Sequence, residues 1–263
     1  VAAEIVAASS NNQQEISMRL KVTPNVGARY WAAIMIASIC GTNLGDIIPD
    51  VLKLAPAKGL IVLALMFAIL VLVERASAKG SEAFYWIAIL LVRAAATNIA
   101  DYSIDHARLT YFDVVTALVI VFIGIVTLRR RSTLEQTKGA LQTDGFYWLT
   151  MLIAGTLGTA TADAIGHAFN SVRIGVPISA SIATLALLLI LIARTRLMKF
   201  GATSYWVAVA AIRWWGTNVG DISAFFLSLI PSAAISGFAL WALLSASAII
   251  SSAATRREIE EHS

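Results

Sequence analysis

Four aspartates occupy the same place in a recurring segment. Gly41-Thr42-Asn43-Leu44-Gly45-Asp46 returns as Gly216-Thr217-Asn218-Val219-Gly220-Asp221. Looser copies are Ala96-Thr97-Asn98-Ile99-Ala100-Asp101 and Gly158-Thr159-Ala160-Thr161-Ala162-Asp163. Each aspartate sits in a strongly apolar stretch. A carboxylate in hydrocarbon is costly, and by default it marks an ion path, a proton relay or a counter-charge. Asn43, Asp46 and Asp50 fall at i, i+3 and i+7, on one face of a helix. The place of Asp50 is taken by Asp105, His167 and Phe225 in the later copies. The candidate set is therefore Asp46, Asp101, Asp163 and Asp221, with Asn43, Asn98, Asn218, Asp50, Asp105 and His167 around them. Hard oxygen ligands suit magnesium, calcium or manganese, and the imidazole of His167 admits softer transition metals. The expected ligand is a small inorganic cation or a proton, with no organic cofactor.

Two arginines complicate this set. Arg93 and Arg213 lie eight residues after the repeat's tyrosine in copies two and four, where copies one and three have Ser38 and Gly155. The array thus alternates, closer to twofold than to fourfold symmetry. A buried arginine must pair; Asp101 and Asp221, two turns further along the same helices, are candidate partners, as are aspartates of neighbouring repeats, with gating and charge pairing as the role. Two cations neutralise only part of four to six carboxylates. The surplus negative charge must bind cations, be protonated or reach water. The opposing reading is that these groups only hold helices together, as polar residues in bundles often do.

Other chemistry finds little support. Asn43-Leu44-Gly45-Asp46 resembles the Gly-x-Gly-Asp signature of intramembrane aspartyl proteases, but its first residue is asparagine, and a protease needs two carboxylates rather than four. No nucleophile elbow, phosphate loop, paired-cysteine zinc site or dinucleotide fingerprint occurs. The lone Cys40 allows no internal disulfide. An enzyme is not the expectation.

The elements that position these residues follow from composition and period. The chain is 58% hydrophobic and only 14% charged, against roughly a quarter charged in soluble domains. Apolar runs such as 59–73 and 182–193 read as membrane spans, which must be helices. Every copy of the motif begins eleven residues after a Tyr-Trp pair: Tyr30-Trp31, Tyr85-Trp86, Tyr147-Trp148 and Tyr205-Trp206. The repeats begin 55, 62 and 58 residues apart, room for two spans each. The first span carries the motif and starts at the Tyr-Trp pair, whose amphipathic rings suit a membrane interface. Second spans are expected near 59–74, 112–128, 177–193 and 233–250. Small residues at Gly41, Gly45, Gly158, Ala162, Gly216 and Gly220 let helices approach closely.

Basic residues set the orientation. Fourteen lysines and arginines fall in the N-terminal segment, the inter-repeat loops and the C-terminus, and four (Lys53, Lys58, Arg108, Arg173) fall opposite. The positive-inside rule then puts both ends in the cytoplasm. This explains the net charge of +4 without invoking nucleic acid. Residues 1–21 lack the pattern of a signal peptide. The expected organisation is a cytoplasmic tail (1–28), four repeats (29–80, 81–140, 141–200, 201–252) and a second cytoplasmic tail (253–263).

With Trp31, Trp86, Trp148 and Trp206 at one position of each repeat, and Lys21-Val22-Thr23-Pro24 leading in, residues 21–250 resemble a bacterial family of uncharacterised integral membrane proteins. That family has four tandem repeats of two spans, each with a characteristic tryptophan. Its core often carries glutamate where this chain has Thr42, Thr97, Thr159 and Thr217, so four acidic ligands would be lost here if those were ligands. The resemblance implies architecture and a bacterial inner-membrane location, and no activity.

The expectation is an all-α polytopic membrane protein: eight transmembrane helices as four parallel two-helix repeats around a pseudo-symmetry axis along the membrane normal. Its expected role is transport or permeation of a cation, metal or proton-coupled, through the aspartate ring, with membrane lipid as its other partner. The alternatives are a non-transporting membrane scaffold with a structural polar ring and, third, a membrane-embedded enzyme.

Overall fold

A computed structural model describes residues 19–128, 141–196 and 202–261. The N-terminal stretch to residue 18, the basic loop at 129–138 and Lys199 lie outside the described residues. Among those described there are eight long helices and no strand. In chain order they are α1 (Ala28–Asp50), α2 (Pro56–Ala76), α3 (Glu82–Asp101), α4 (Tyr111–Leu128), α5 (Gly145–Gly166), α6 (Val172–Arg196), α7 (Ala202–Leu227) and α8 (Leu229–Glu261). A π-helical turn, Tyr102–His106, prolongs α3. The helices start where local chemistry favours it. Ser81 and Asp144 cap α3 and α5 through their side chains, and Pro56 opens α2 at a position where its missing N–H costs nothing.

The odd-numbered helices form the inside of the bundle. α1 packs on α3, α3 on α5, α5 on α7, and α7 back on α1. The even-numbered helices lie outside. Each packs strongly on the inner helix of the following repeat: α2 on α3, α4 on α5, α6 on α7, and α8 on α1. α2 barely touches its own α1. The last outer helix therefore closes the ring onto the first inner one, and no repeat buries its inner face alone.

Among the described residues, seven helices are long and apolar enough to cross a membrane. The eighth, α7, falls outside that set, although the sequence analysis expects eight spans. It carries Arg213, Thr217, Asn218 and Asp221, which lower its hydropathy; the first three are buried in the bundle and Asp221 is partly exposed. Burial divides the two shells. In the best apolar window, 67% of α5 is buried but only 11% of α2. The outer helices present Ile61, Leu65, Ile69, Phe112, Ile120, Leu185, Leu189 and Phe238 outward. An exposed apolar belt of this extent suits hydrocarbon rather than water.

Small residues make the inner ring tight. A methyl group on Gly41 would lie 2.6 Å from Cβ and Cγ of Arg93, and one on Gly158 would lie 2.6 Å from the Trp214 backbone nitrogen. Both glycines are therefore contact points between inner helices, as the small-residue stripe predicts.

The Tyr-Trp pairs depart from expectation. They do not act as outward-facing interfacial anchors. Tyr30, Tyr85, Tyr147 and Tyr205 are at most 5% exposed, and so are Trp86, Trp148 and Trp206. Each tyrosine ring packs on the tryptophan of the next repeat: Tyr30 on Trp86 at 5.8 Å, Tyr85 on Trp148 at 6.0 Å, Tyr147 on Trp206 at 5.5 Å, and Tyr205 on Trp31 at 5.7 Å. The physical reason is closure. A ring of four helices brings four copies of one residue to a common centre, where aromatic faces and edges satisfy one another.

Candidate functional site

Three polar layers follow one another along the inner helices. The first is a quartet of tyrosine hydroxyls. Tyr30 meets Tyr85 at 3.1 Å and Tyr205 at 2.6 Å, and Tyr147 meets Tyr85 at 2.6 Å and Tyr205 at 3.2 Å. The loop is closed. Each hydroxyl can donate once and accept once, so four buried polar groups satisfy one another with no outside partner.

Twelve residues further along each helix, about 18 Å at 1.5 Å per residue, the motif threonines form the second layer. They surround the Arg93 guanidinium. Nη1 donates to Thr97 Oγ1 at 3.0 Å and Thr159 Oγ1 at 2.9 Å; Nη2 donates to Thr42 Oγ1 and Thr217 Oγ1, both at 2.6 Å. One side chain thus binds the same residue from all four repeats. The hydroxyls of Thr42, Thr97 and Thr217 donate to the carbonyl one turn back in their own helices, which leaves their lone pairs facing the cation. On the family resemblance these threonines stand where glutamates would be acidic ligands, if the glutamates are ligands at all. The threonines' signal was present all the same, as a hydroxyl at one register of every repeat.

Arg93 and Arg213 do not pair with aspartates as expected. Among the described residues no ion pair joins either arginine to a carboxylate; the ion pair found there is Arg29–Glu82, at 2.7 Å and half-exposed. Eight residues of helix, about 12 Å, separate Arg93 from Asp101, beyond the reach of an arginine side chain, whereas the threonines stand within it. Arg213 is wholly buried, and its Nη2 touches Met151 Sδ at 3.7 Å.

The third layer lies one turn beyond the threonines. Asp46, Asp101, Asp163 and Asp221 are all partly exposed. Each lies four residues, about one helical turn, beyond a threonine that bonds the Arg93 guanidinium. The four primary candidates are thus brought together at one end of the axis, above the arginine. Among the described residues no three His, Cys, Asp or Glu side chains are grouped as the ligands of one metal ion would be.

The secondary candidates are placed differently. The Asn98 amide donates to Gly45 O and Ala94 O, both at 3.0 Å, and so joins α3 to α1. Asn43 donates to Ser232 Oγ at 2.6 Å, tying α1 to α8, and Asn218 donates to Trp214 O within α7. The amide N–H groups thus serve contacts between and within helices, while the three amide oxygens are buried with no hydrogen-bond partner in the protein. His167 is exposed and stacks on Tyr111, with Nδ1 at 2.9 Å from Asp163 O. Asp50 and Asp105 are exposed; Asp50 acts on Asp46 and Asp101, and Asp105 on Asp101 and Asp163. Phe225, at the same register in the fourth repeat, stacks under Arg173, whose guanidinium carbon is 5.7 Å from the ring centre. These two residues and Asp221 line an apolar cavity of about 270 Å³ between α6 and α7.

Layers of like residues from successive helix pairs define an all-helical bundle assembled from tandem repeats. Residues 29–79 match the family model of a Repeat of Unknown Function (DUF347), an uncharacterised repeat family, as the sequence resemblance implies. No curated protein and no solved structure matches the chain.

Proposed function

We propose that the protein is a multi-pass transporter of the cytoplasmic membrane of a bacterium, and that a cation or proton binds at Asp46, Asp101, Asp163 and Asp221. Its four two-helix repeats run parallel about an axis along the membrane normal, with both termini in the cytoplasm. The observation that carries the reading is the convergence of four partly exposed carboxylates from four repeats at one end of the axis, none of them neutralised by an ion pair with Arg93 or Arg213. Like charges gathered at one end of a bundle favour capture of a cation or of protons. Below them Arg93 and its threonines place a positive charge on the axis, and the tyrosine quartet closes it. A bare cation cannot cross such a barrier passively at useful speed. Coupled transport, in which the arginine layer rearranges, fits better than an open channel.

The test is flux in proteoliposomes holding the purified chain, with sodium, magnesium, manganese and zinc presented in turn and internal pH recorded. Asp→Asn at each of the four positions keeps shape and removes one charge. Flux present in the wild type and abolished in the variants, at unchanged melting temperature, is the expected result.

The fully bonded tyrosine quartet and the Arg93 cradle favour a second reading, a scaffold whose polar layers only fix helix register. It predicts no flux for any of these ions, and Asp→Asn effects confined to stability.

A further inference from the structure

Eight residues after each repeat's tyrosine stand Ser38, Arg93, Gly155 and Arg213, at one register of the four inner helices. It falls between the tyrosine quartet and the threonine layer. Arg213 is 0% exposed. Its Nη2 has only the thioether of Met151, a weak acceptor, and its Nε and Nη1 have no acceptor in the protein. At the same register, Nε of Arg93 and Oγ of Ser38 are also buried without a partner. Ser38 Oγ lies against Gly216, one turn beyond Arg213. The titratable groups on the tyrosine side of Arg213 are the four phenols, which are neutral and whose hydroxyls are already bonded to one another. Arg93 and Arg213 feel each other's positive charge.

A guanidinium stays protonated in proteins. Buried charges are otherwise paired, and an unpaired buried donor calls for an ion or an ordered water. Here the unpartnered donors belong mainly to Arg213, since both Nη groups of Arg93 are taken by the threonines and only its Nε and the Ser38 hydroxyl at the same register are left over. We propose that Arg213, with Arg93 and Ser38 of the same register, binds a small inorganic anion of the halide class on the bundle axis. A halide accepts from several N–H and O–H donors at once without demanding a fixed geometry. The tight approach of the inner helices here, where a methyl on Gly155 would lie 2.6 Å from Ala96 Cβ, favours a monatomic ion over an oxyanion. The anion neutralises Arg213, whose donors the protein leaves unmet.

The full chain in detergent tests this without any transport assay. Chloride is titrated against gluconate at constant ionic strength, and the melting temperature is followed. A saturable rise is expected in the wild type and none in R213Q. In gluconate, R213Q should melt no lower than the wild type, because the substitution removes an uncompensated charge. Bromide-soaked crystals of the wild type give a reading independent of how the variant folds, with an anomalous peak expected beside Arg213. A flat chloride response, a response that persists in R213Q, or no bromide peak at Arg213 would each overturn the proposal.

Discussion

Arg93 is a full charge held by neutral hydroxyls, and that decides what its neighbours are worth. A hydrogen bond to a charged group is worth more than one between neutral groups, about 1.5–3 kcal/mol. Thr217→Val keeps the shape and removes one acceptor from Nη2, which Thr42 shares. It should destabilise the protein by about 1.5–3 kcal/mol. In an Arg93→Gln background the same change should cost well under half as much, since contacting residues couple in a double-mutant cycle. Chemical unfolding in mixed micelles checks this; equal costs in the two backgrounds would show that the cradle contributes nothing. The sequence exhibits the threonine in every repeat but cannot say that one arginine serves all four. That follows only when four helices place the same register at one point.

At the scale of elements, closeness of the inner helices governs stability. Gly158→Ala sets a methyl group 2.6 Å from a backbone nitrogen of α7. Backbone cannot step aside as a side chain can, so α5 and α7 must separate, at a cost of about 1–3 kcal/mol. Gly124→Ala, where an added methyl meets nothing within 4 Å, should be neutral or slightly stabilising, because alanine is the better helix former. Equal melting temperatures for the two variants would refute the packing account. The tyrosine quartet makes a cooperative counterpart. Tyr85→Phe opens the closed loop and leaves Tyr30 and Tyr147 each short of one partner. Each such single change should cost about 1–3 kcal/mol, the penalty for stranding a buried polar group. Replacing all four should cost less than the sum of the singles, because no stranded hydroxyl then remains. Thermal melts of the singles and the quadruple variant decide it.

For the whole molecule, the ring closes through α8 on α1 rather than within each repeat. Residues 229–261 are therefore needed by residues 28–50. Deleting α8 should expose Cys40, now buried against Ala233 and Gly237, and a maleimide should then label it rapidly in detergent. Slow labelling of the truncated chain would argue against closure. Orientation is a separate matter, set by loop charge. Reporter fusions at the C-terminus and after Arg108 should report opposite sides of the membrane, the first cytoplasmic. A C-terminus found outside would overturn the cytoplasmic placement of both ends.

Periodicity and composition alone determined the fourfold repeat, its inner and outer helices and the shared register of the aspartates. These are local properties: an apolar run long enough to span, and a motif returning at a fixed distance from Tyr-Trp. The glycine stripe was legible for the same reason, since a small residue on a helix face signals contact whichever helix it meets. Which groups meet was decided by tertiary structure. Ring closure turned four apparent interface anchors into a buried hydroxyl quartet, and it turned four apparently missing acids into the ligands of Arg93. It also set Arg93 and Arg213 apart from their expected aspartates. A side chain reaches about one turn along its own helix, but it reaches directly across to three others once they surround it. Sequence distance measures the first and says nothing about the second.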